Sequence, residues 1–295
     1  MDETTQQPHI LLVDGMALLF RSFFATAVRG QYFRNADGIP TNGVSGFARH
    51  VMTAQTIFQP THLAVCWDMG AYTFRNDLYE GYKSNRPEPP EELKPQFDMA
   101  RNVSEMMGWK NFGEPGMEAD DLIGTITKKY NDAKITIISG DKDLLQLLKP
   151  NVQIAFTKKG FNIYDIYSHE RFVEEYQIAP HAFADVKAFM GDSSDGYAGV
   201  KGIGPKTALQ FIQKYGSVDG VLESLHELTP SQRKKIEENL EMLHLSKKLA
   251  VIHCDCPIEV DIKDLSLPVF NEELLQELEA SGLGSVARQA VTLIS

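Results

Sequence analysis

The chain is poor in the features that would classify it quickly. It has three cysteines in 295 residues, Cys66, Cys254 and Cys256. An odd number without framework spacing excludes a disulfide scaffold and suits a reducing cytoplasm. Cys254 and Cys256 are separated by a single residue, which is not zinc-finger spacing, and no second Cys/His pair follows. They read as small hydrophobes. No apolar run approaches the ~20 residues of a membrane span, and the opening MDETTQQP lacks a basic-then-apolar leader, so no membrane is expected among the partners. Internal repeats and low-complexity tracts are missing too. Basic residues are in short supply: 29 Lys and Arg face 40 Asp and Glu, for a net charge of −11. That is the wrong sign for a nucleic-acid protein at first sight.

What the chain does have is acids in meaningful places. Nine fall into five short clusters: Asp14; Asp68; Glu118, Asp120 and Asp121; Asp141 and Asp143; Asp192 and Asp195. These nine account for all but −2 of the net charge, and bound divalent ions would offset part of them. Basic residues are also grouped, as Lys83/Arg86, Lys158/Lys159, Lys201/Lys206 and Arg233/Lys234/Lys235. Overall charge therefore neither excludes a nucleic-acid substrate nor suggests one. With 43% hydrophobic residues, the chain can bury one large core, or a main core with a smaller partner.

The pattern predicts an α/β fold. Residues 9–14 read as a buried strand, and MALLFRSFFATAV as the helix after it. Apolar positions over 42–58 recur with helical period, LAVCWD at 63–68 is the next strand, and 92–107 fits a helix. GMEADDLIGTITKKY is an amphipathic helix with acids in its first turn, where the helix dipole tolerates them. A strand at 135–138, a short helix after Asp143 and β-branched or aromatic runs near 152–156 and 161–164 follow. Such alternation implies a mostly parallel central sheet flanked by helices. From about 168 the pattern turns helical. The expected domains are 1–167, the α/β core, and 168–295, a helical region. MGAYTFRNDLYEGYKSNRPEPPEEL, residues 69–93, holds three prolines, three tyrosines, Arg75, Lys83 and Arg86. It is too long for a tight connection and has the look of a working loop.

Asp14 closes HILLVDG, Asp68 closes LAVCWD and Asp141 closes ITIISGD. Carboxyl ends of parallel strands converge on one crevice, where such folds bind ligands. Carboxylates crowded there would repel each other unless cations sat among them. Glu118 and Asp121 are three apart and share a helix face, Asp141 and Asp143 alternate at a strand end, and Asp192 and Asp195 have helical i, i+3 spacing. Hard oxygen ligands suit Mg²⁺ or Mn²⁺, not zinc. In two-metal hydrolysis such ions stand about 3.5–4 Å apart, activating the attacking water and stabilising the departing oxygen. Any one Asp alone also reads as a cap or turn residue, Asp143 before LLQLL and Asp192 before SS among them. Three near-adjacent acids at one helix start exceed what capping needs.

A second motif is GVKGIGPKT at 199–207. Gly202-Ile203-Gly204 makes a tight turn, and Pro205 suits the first position of a helix. Glycines let backbone approach a phosphate, and a helix N-terminus offers unpaired N–H groups. Lys201 and Lys206 add charge. This is a helix-hairpin-helix signature, at about 186–216, which grips duplex backbone without reading sequence. Alone it would also read as a plain Gly-Pro turn.

Taken together, LLVDG, AVCWD, YKSNRP, GMEADDLIGT, ISGDKDLLQL and GDSSDGYAGVKGIGPKTA resemble the 5′-nuclease family: flap endonucleases, phage 5′-exonucleases and the 5′→3′ exonuclease domain of bacterial DNA polymerase I. The likeness spans about residues 9–250, and at 295 residues the chain is similar to the stand-alone bacterial form. The resemblance implies a PIN-like core and a helical arch over 70–95. It implies that Asp14, Asp68, Glu118 and Asp120 hold one metal, that Asp143, Asp192 and Asp195 hold a second, and that Asp121 and Asp141 bridge or orient through water. It implies that Lys83 and Arg86 contact the scissile phosphate, with Arg21 a further phosphate contact and Tyr82 stacking on a base. An isolated Lys83 would otherwise read as a solvated loop lysine, and Tyr82 as packing for the arch. In the hairpin, Lys201, Gly202, Gly204, Lys206 and Thr207 would meet DNA, and the carbonyls of Val200 and Ile203 would hold K⁺. The implied activity is two-metal 5′→3′ exonuclease and flap endonuclease cleavage by a cytoplasmic monomer, in primer removal and repair. The DNA would carry 5′ flaps, nicks or gaps, or RNA primers. All nine carboxylates are present, which favours an active nuclease. A PIN-type single-strand ribonuclease and a non-catalytic DNA-junction binder are the alternatives. The arch and the glycine hairpin speak against the first.

Overall fold

The computed structural model describes residues 7–27 and 32–293. Six strands, His9–Asp14 (β1), His62–Trp67 (β2), Lys110–Gly113 (β3), Lys134–Ser139 (β4), Val152–Thr157 (β5) and Tyr164–Tyr167 (β6), form one sheet in the order β3-β2-β1-β4-β5-β6. The first five are parallel, and β6 returns antiparallel to β5. All six residues of β1 are buried, which is why the strand reads as a continuous apolar run: both faces of a parallel sheet are covered. Its side chains alternate between two cores. Ile10 and Leu12 enter one, Leu11 and Val13 the other.

Helices cover both faces. Gly15–Thr26 (α1) and Asn42–Phe58 (α2) precede the short Phe74–Leu78 (α3), Lys94–Met106 (α4) and Ala119–Lys129 (α5). His169–Tyr176 (α6), Phe183–Met190 (α7) and Pro205–Tyr215 (α8) follow, then Val218–Glu223 (α9), Pro230–Glu238 (α10), Leu240–Ala250 (α11), Glu272–Ala280 (α12) and Gly284–Ala290 (α13). Residues of α1, α2 and α4 share one core with α12 and α13, while α5, α7 and α8 share the other. Residues 257–295 carried no chemistry in the sequence. In the fold, Leu274, Leu278 and Val286 seal the α2 face, and Gln289 Nε2 donates to the Arg49 carbonyl at 3.1 Å and to Thr53 Oγ1 at 3.0 Å.

Two strand expectations need correction. β3 was not foreseen, because KNFG buries only Phe112 and shows neither alternation nor an apolar run; it forms by pairing with β2 at the sheet edge. The run expected near 161–164 pairs as Tyr164–Tyr167 instead, after a connection that contains Gly160 at φ 68°.

The strand order fixes where a site can lie. Chain order runs outward from β1 through β2 to β3, and on the other side from β4 to β5. The switch point therefore falls between the carboxyl ends of β1 and β4, where such sheets bind ligands. Asp14 ends β1 and Ser139 ends β4, and Ser139 Oγ donates to Asp14 Oδ2 at 2.6 Å across that point.

Candidate metal centre

Each acid is placed by a local rule before it meets the others. Asp14 caps α1, accepting from Ala17 N at 2.9 Å. Asp68 accepts from Ala119 N at 3.0 Å, tying the end of β2 to the start of α5. Glu118 is the N-cap of α5. Asp141 and Asp143 do not alternate on a strand. They open a 3-10 turn, Lys142–Leu147, and it is Asp141 that caps it, by accepting from Asp143 N at 2.8 Å. Asp192 and Asp195 lie outside any helix, since α7 stops at Gly191 with φ 73°. Asp192 Oδ1 instead accepts from Ser194 N at 2.7 Å, Ser194 Oγ at 2.5 Å and Asp195 N at 3.2 Å. The cap reading and the site reading thus describe the same residues.

Tertiary structure gathers eight of the nine into one acidic belt. Burial first, and then the charge of Asp68, raise the Asp14 pKa to about 7. Asp68 is raised by burial, only partly offset by the Ala119 N–H. Asp120 is pushed well above the ordinary carboxylate value by burial, then by Asp141 and Asp14. Burial and Asp141 raise Asp143 to about 6. Asp192 goes the other way. Burial pushes it up, but the Lys187 ammonium and the Ser194 donors outweigh this and hold it at about 2. Asp143, Asp192 and Asp195 can each bring one oxygen within 4.8 Å of the others. An all-oxygen donor set whose members resist ionising together fits hard divalent cations.

Asp121 is the exception. Arg75 Nη1 and Nη2 each donate to it at 2.8 Å, and His253 N donates at 2.8 Å. Its carboxylate is fully buried and neutralised by Arg75, whose Nη1 also lies 3.5 Å from Glu118 Oε2. The proximity expected for Glu118 and Asp121 takes the form of a capping box, with Glu118 N donating to Asp121 Oδ2 at 3.2 Å. Arg75 also donates to the carbonyls of Leu249 at 3.0 Å and Val251 at 2.9 Å, so one guanidinium ties α3, α5 and the end of α11 together.

The segment expected as a helical arch lies down on the belt. Only Phe74–Leu78 is helical in its first half, and the turns after it pack against residues 193–196. Lys83 N donates to the Asp195 carbonyl at 2.8 Å, Asn85 Nδ2 to the Ser193 carbonyl at 2.7 Å and Arg86 Nη2 to Asp195 Oδ1 at 2.7 Å. Lys83 Nζ donates to Glu118 Oε2 at 2.8 Å. Burial lowers the Lys83 pKa, but Glu118 and Asp195 more than restore it, so the group sits above its ordinary value. The close approach needs Gly196: at φ 80°, any Cβ there would stand 2.7 Å from the Gly81 carbonyl. Tyr82 does not present its ring for stacking. It is 3% exposed, and its hydroxyl lies 3.2 Å from both Glu118 Oε2 and Asp195 Oδ2. Arg21, half-buried, donates to the Lys158 carbonyl.

The glycine hairpin joins α7 to α8. Val200 N donates to the Phe189 carbonyl at 2.8 Å and Ile203 N to the Val200 carbonyl at 3.0 Å, while both side chains are buried. Lys201, Gly202, Gly204 and Lys206 are exposed and Thr207 half-buried. Gly204 caps α8, with Pro205 at its first position. Lys235 Nζ donates to the Gly202 carbonyl at 3.1 Å, which adds a lysine to this surface from α10.

One residue in the belt had no sequence signal. Lys187 Nζ lies 2.6 Å from Asp143 Oδ1 and also donates to Asp192 Oδ2. In sequence it is an ordinary polar position in a short helix, and only the packing of α7 turns it inward. Among the described residues no helix is long and apolar enough to cross a membrane.

Comparison with known proteins bears on family and fold. Residues 9–177 match the family model for the 5′-3′ exonuclease N-terminal resolvase-like domain, and residues 178–273 that for the 5′-3′ exonuclease C-terminal SAM fold. A 5′-3′ exonuclease of Bacillus subtilis (strain 168) is 49% identical over 280 residues, 95% of each chain. DNA polymerase I of the same strain is 37% identical over 272 residues, covering 91% of this chain but 30% of the polymerase. Among solved structures, the bacteriophage T5 5′-exonuclease with bound zinc ions superposes with a TM-score of 0.69 at 21% identity, over 97% of this chain and 99% of that one; this last likeness bears on the fold. With both domains matched in order and a near full-length relative at 49% identity, the chain belongs to the 5′-3′ exonuclease family.

Proposed function

We propose that this 5′-nuclease acts at junctions where a single-stranded 5′ end leaves duplex DNA, at flaps, nicks, gaps and RNA primers. The observation that carries the reading is the continuity of the site. The acidic belt ends at Asp192 and Asp195, Asp192 and Tyr197 exchange backbone hydrogen bonds at 2.8 and 3.0 Å, and the glycine hairpin follows within a few residues. Duplex gripped at the exposed Lys201, Gly202, Gly204 and Lys206 and the half-buried Thr207 would thus run past the carboxylates. Non-specific contact of this kind uses phosphates and is salt-dependent.

Asp14, Asp68, Glu118, Asp120 and Asp141 would hold one divalent ion, and Asp143, Asp192 and Asp195 a second, Mg²⁺ or Mn²⁺. When bound, the ions supply an activated water and charge stabilisation for the departing oxygen. Lys83 and Arg86 sit over the belt on the 79–86 turns, where their charges would meet the non-bridging oxygens of the scissile phosphate. Tyr82 would hold Glu118 and Asp195 in register through its hydroxyl. The carbonyls of Val200 and Ile203 would take K⁺ at the hairpin. We place the enzyme in the cytoplasm as a monomer that removes primers and flaps in replication and repair.

The test is a 5′-labelled flap, a nick, a gapped duplex and a free RNA strand, each with and without Mg²⁺ or Mn²⁺. Cleavage near the junction that requires the ion, with the free RNA spared, is expected. Asp143→Ala and Asp192→Ala should bind the flap and leave it uncut. Cleavage by both variants, or preferential cutting of the free RNA, would refute the reading.

A further inference from the structure

Lys187 sits where a cation belongs. Its side chain is 9% exposed, and its ammonium bridges Asp143 and Asp192. These are two of the three acids whose oxygens converge within 4.8 Å with Asp195. Lys83 and Arg86 also pair with the belt, but they reach it from the 79–86 turns with side chains 23% and 51% exposed. Lys187 comes from α7, where its chain neighbours Val186 and Ala188 are buried.

We propose that Lys187 is a built-in competitor for the metal position formed by Asp143, Asp192 and Asp195. The inference rests on reading those three as metal ligands. The ammonium occupies one oxygen on each of two of these three carboxylates, Asp143 Oδ1 and Asp192 Oδ2, and two cations sharing those carboxylates repel. A divalent ion therefore binds in exchange for the lysine's two hydrogen bonds. The exchange has somewhere to lead. Tyr197 is 2% exposed, among the described residues its hydroxyl is buried with no hydrogen-bond partner, and its backbone exchanges two hydrogen bonds with that of Asp192. The flexible four-carbon stem of lysine allows the ammonium to leave the carboxylates and donate to that oxygen. Lys187 would thus hold Asp143 and Asp192 together before the ion arrives, and set the divalent concentration at which that position fills.

Mn²⁺ binding to the full chain without DNA, followed by calorimetry and by electron paramagnetic resonance of free Mn²⁺, tests this. Asp192→Ala should lose one Mn²⁺ relative to wild type. Lys187→Met should bind that same Mn²⁺ at least tenfold more tightly while melting lower in EDTA, and Tyr197→Phe should bind it more weakly than wild type. If Asp192→Ala loses the ion and Lys187→Met binds it no more tightly than wild type, the competitor role fails and the metal site stands. If Asp143→Ala and Asp192→Ala both bind Mn²⁺ as wild type does, the metal site itself fails and the competitor role with it. Should Lys187→Met not fold, a Mn²⁺-loaded structure of the wild type decides: Lys187 Nζ still bonded to both carboxylates overturns the inference.

Discussion

Replacing Asp14 by Asn should make the metal-free protein more stable and the enzyme inactive. Asp14 is buried, with its pKa at about 7 against 3.8 for the unconstrained group. A folded-state pKa raised in this way means that the folded form holds the proton more tightly than the unfolded form. Ionising Asp14 therefore destabilises the fold, progressively as pH rises from about 4 to 7 and fully above that. At 1.36 kcal/mol per unit, the penalty at pH 7.5 is about 4 kcal/mol. Asn keeps an acceptor for Ala17 N but weakens the bond from Ser139 Oγ, a loss of about 1 kcal/mol. The net gain of about 3 kcal/mol corresponds to a Tm on the order of 5–10 °C higher in EDTA at pH 7.5. At pH 5 the ionisation penalty is less than half as large, so the gain should shrink to about 1 kcal/mol or less. Mg²⁺ should raise the wild-type Tm and move Asp14→Asn far less, while cleavage falls at least a thousandfold. Calorimetric melts at the two pH values, with and without Mg²⁺, are the assay. If Asp14→Asn were no more stable than wild type in EDTA at pH 7.5, or if its advantage grew toward pH 5, the picture of mutually repelling carboxylates would be wrong.

Four further outcomes are expected. Lys83→Ala or Arg86→Ala should lower cleavage by about a hundredfold or more through lost charge stabilisation, and amide exchange over 79–86 should quicken as the contacts to Glu118 and Asp195 go. Arg75→Leu leaves Asp121 buried without its ion pair and should destabilise by about 3–5 kcal/mol, measured by urea denaturation with the metal absent. Gly196→Ala forces a Cβ against the Gly81 carbonyl at positive φ; a loss of about 1–3 kcal/mol should come with weaker cleavage, since Lys83 shifts with its turn. Lys201→Ala and Lys206→Ala should each weaken flap binding and flatten the dependence of log affinity on log salt by about 1, with cleavage of bound substrate unchanged.

The helical and strand periods made most of the fold legible. α2 falls on residues 42–58 as its pattern requires, and β1 follows its apolar run. β3 was invisible because an edge strand of four residues needs little burial of its own and takes its register from β2. The site was legible as a set of acids but not as a geometry. Spacing suggested strand and helix faces for Asp141, Asp143, Asp192 and Asp195, whereas turns and caps position them. Tyr82 was open to a stacking role in sequence and is spent on two carboxylates in the fold.

What the sequence determined alone is the chemistry on offer: many hard oxygen donors at strand ends, a glycine hairpin with lysines, and a loop carrying Lys83 and Arg86. Local rules suffice for this, because strand termini, helix caps and tight turns depend on neighbours a few residues away. Only the tertiary structure decided which charges cancel. Asp121 is neutralised because Arg75 reaches it from 46 positions away, and Lys187 enters because α7 turns it between Asp143 and Asp192. Charge acts through space with little regard for chain order, so pairings of this kind are set when distant segments pack together.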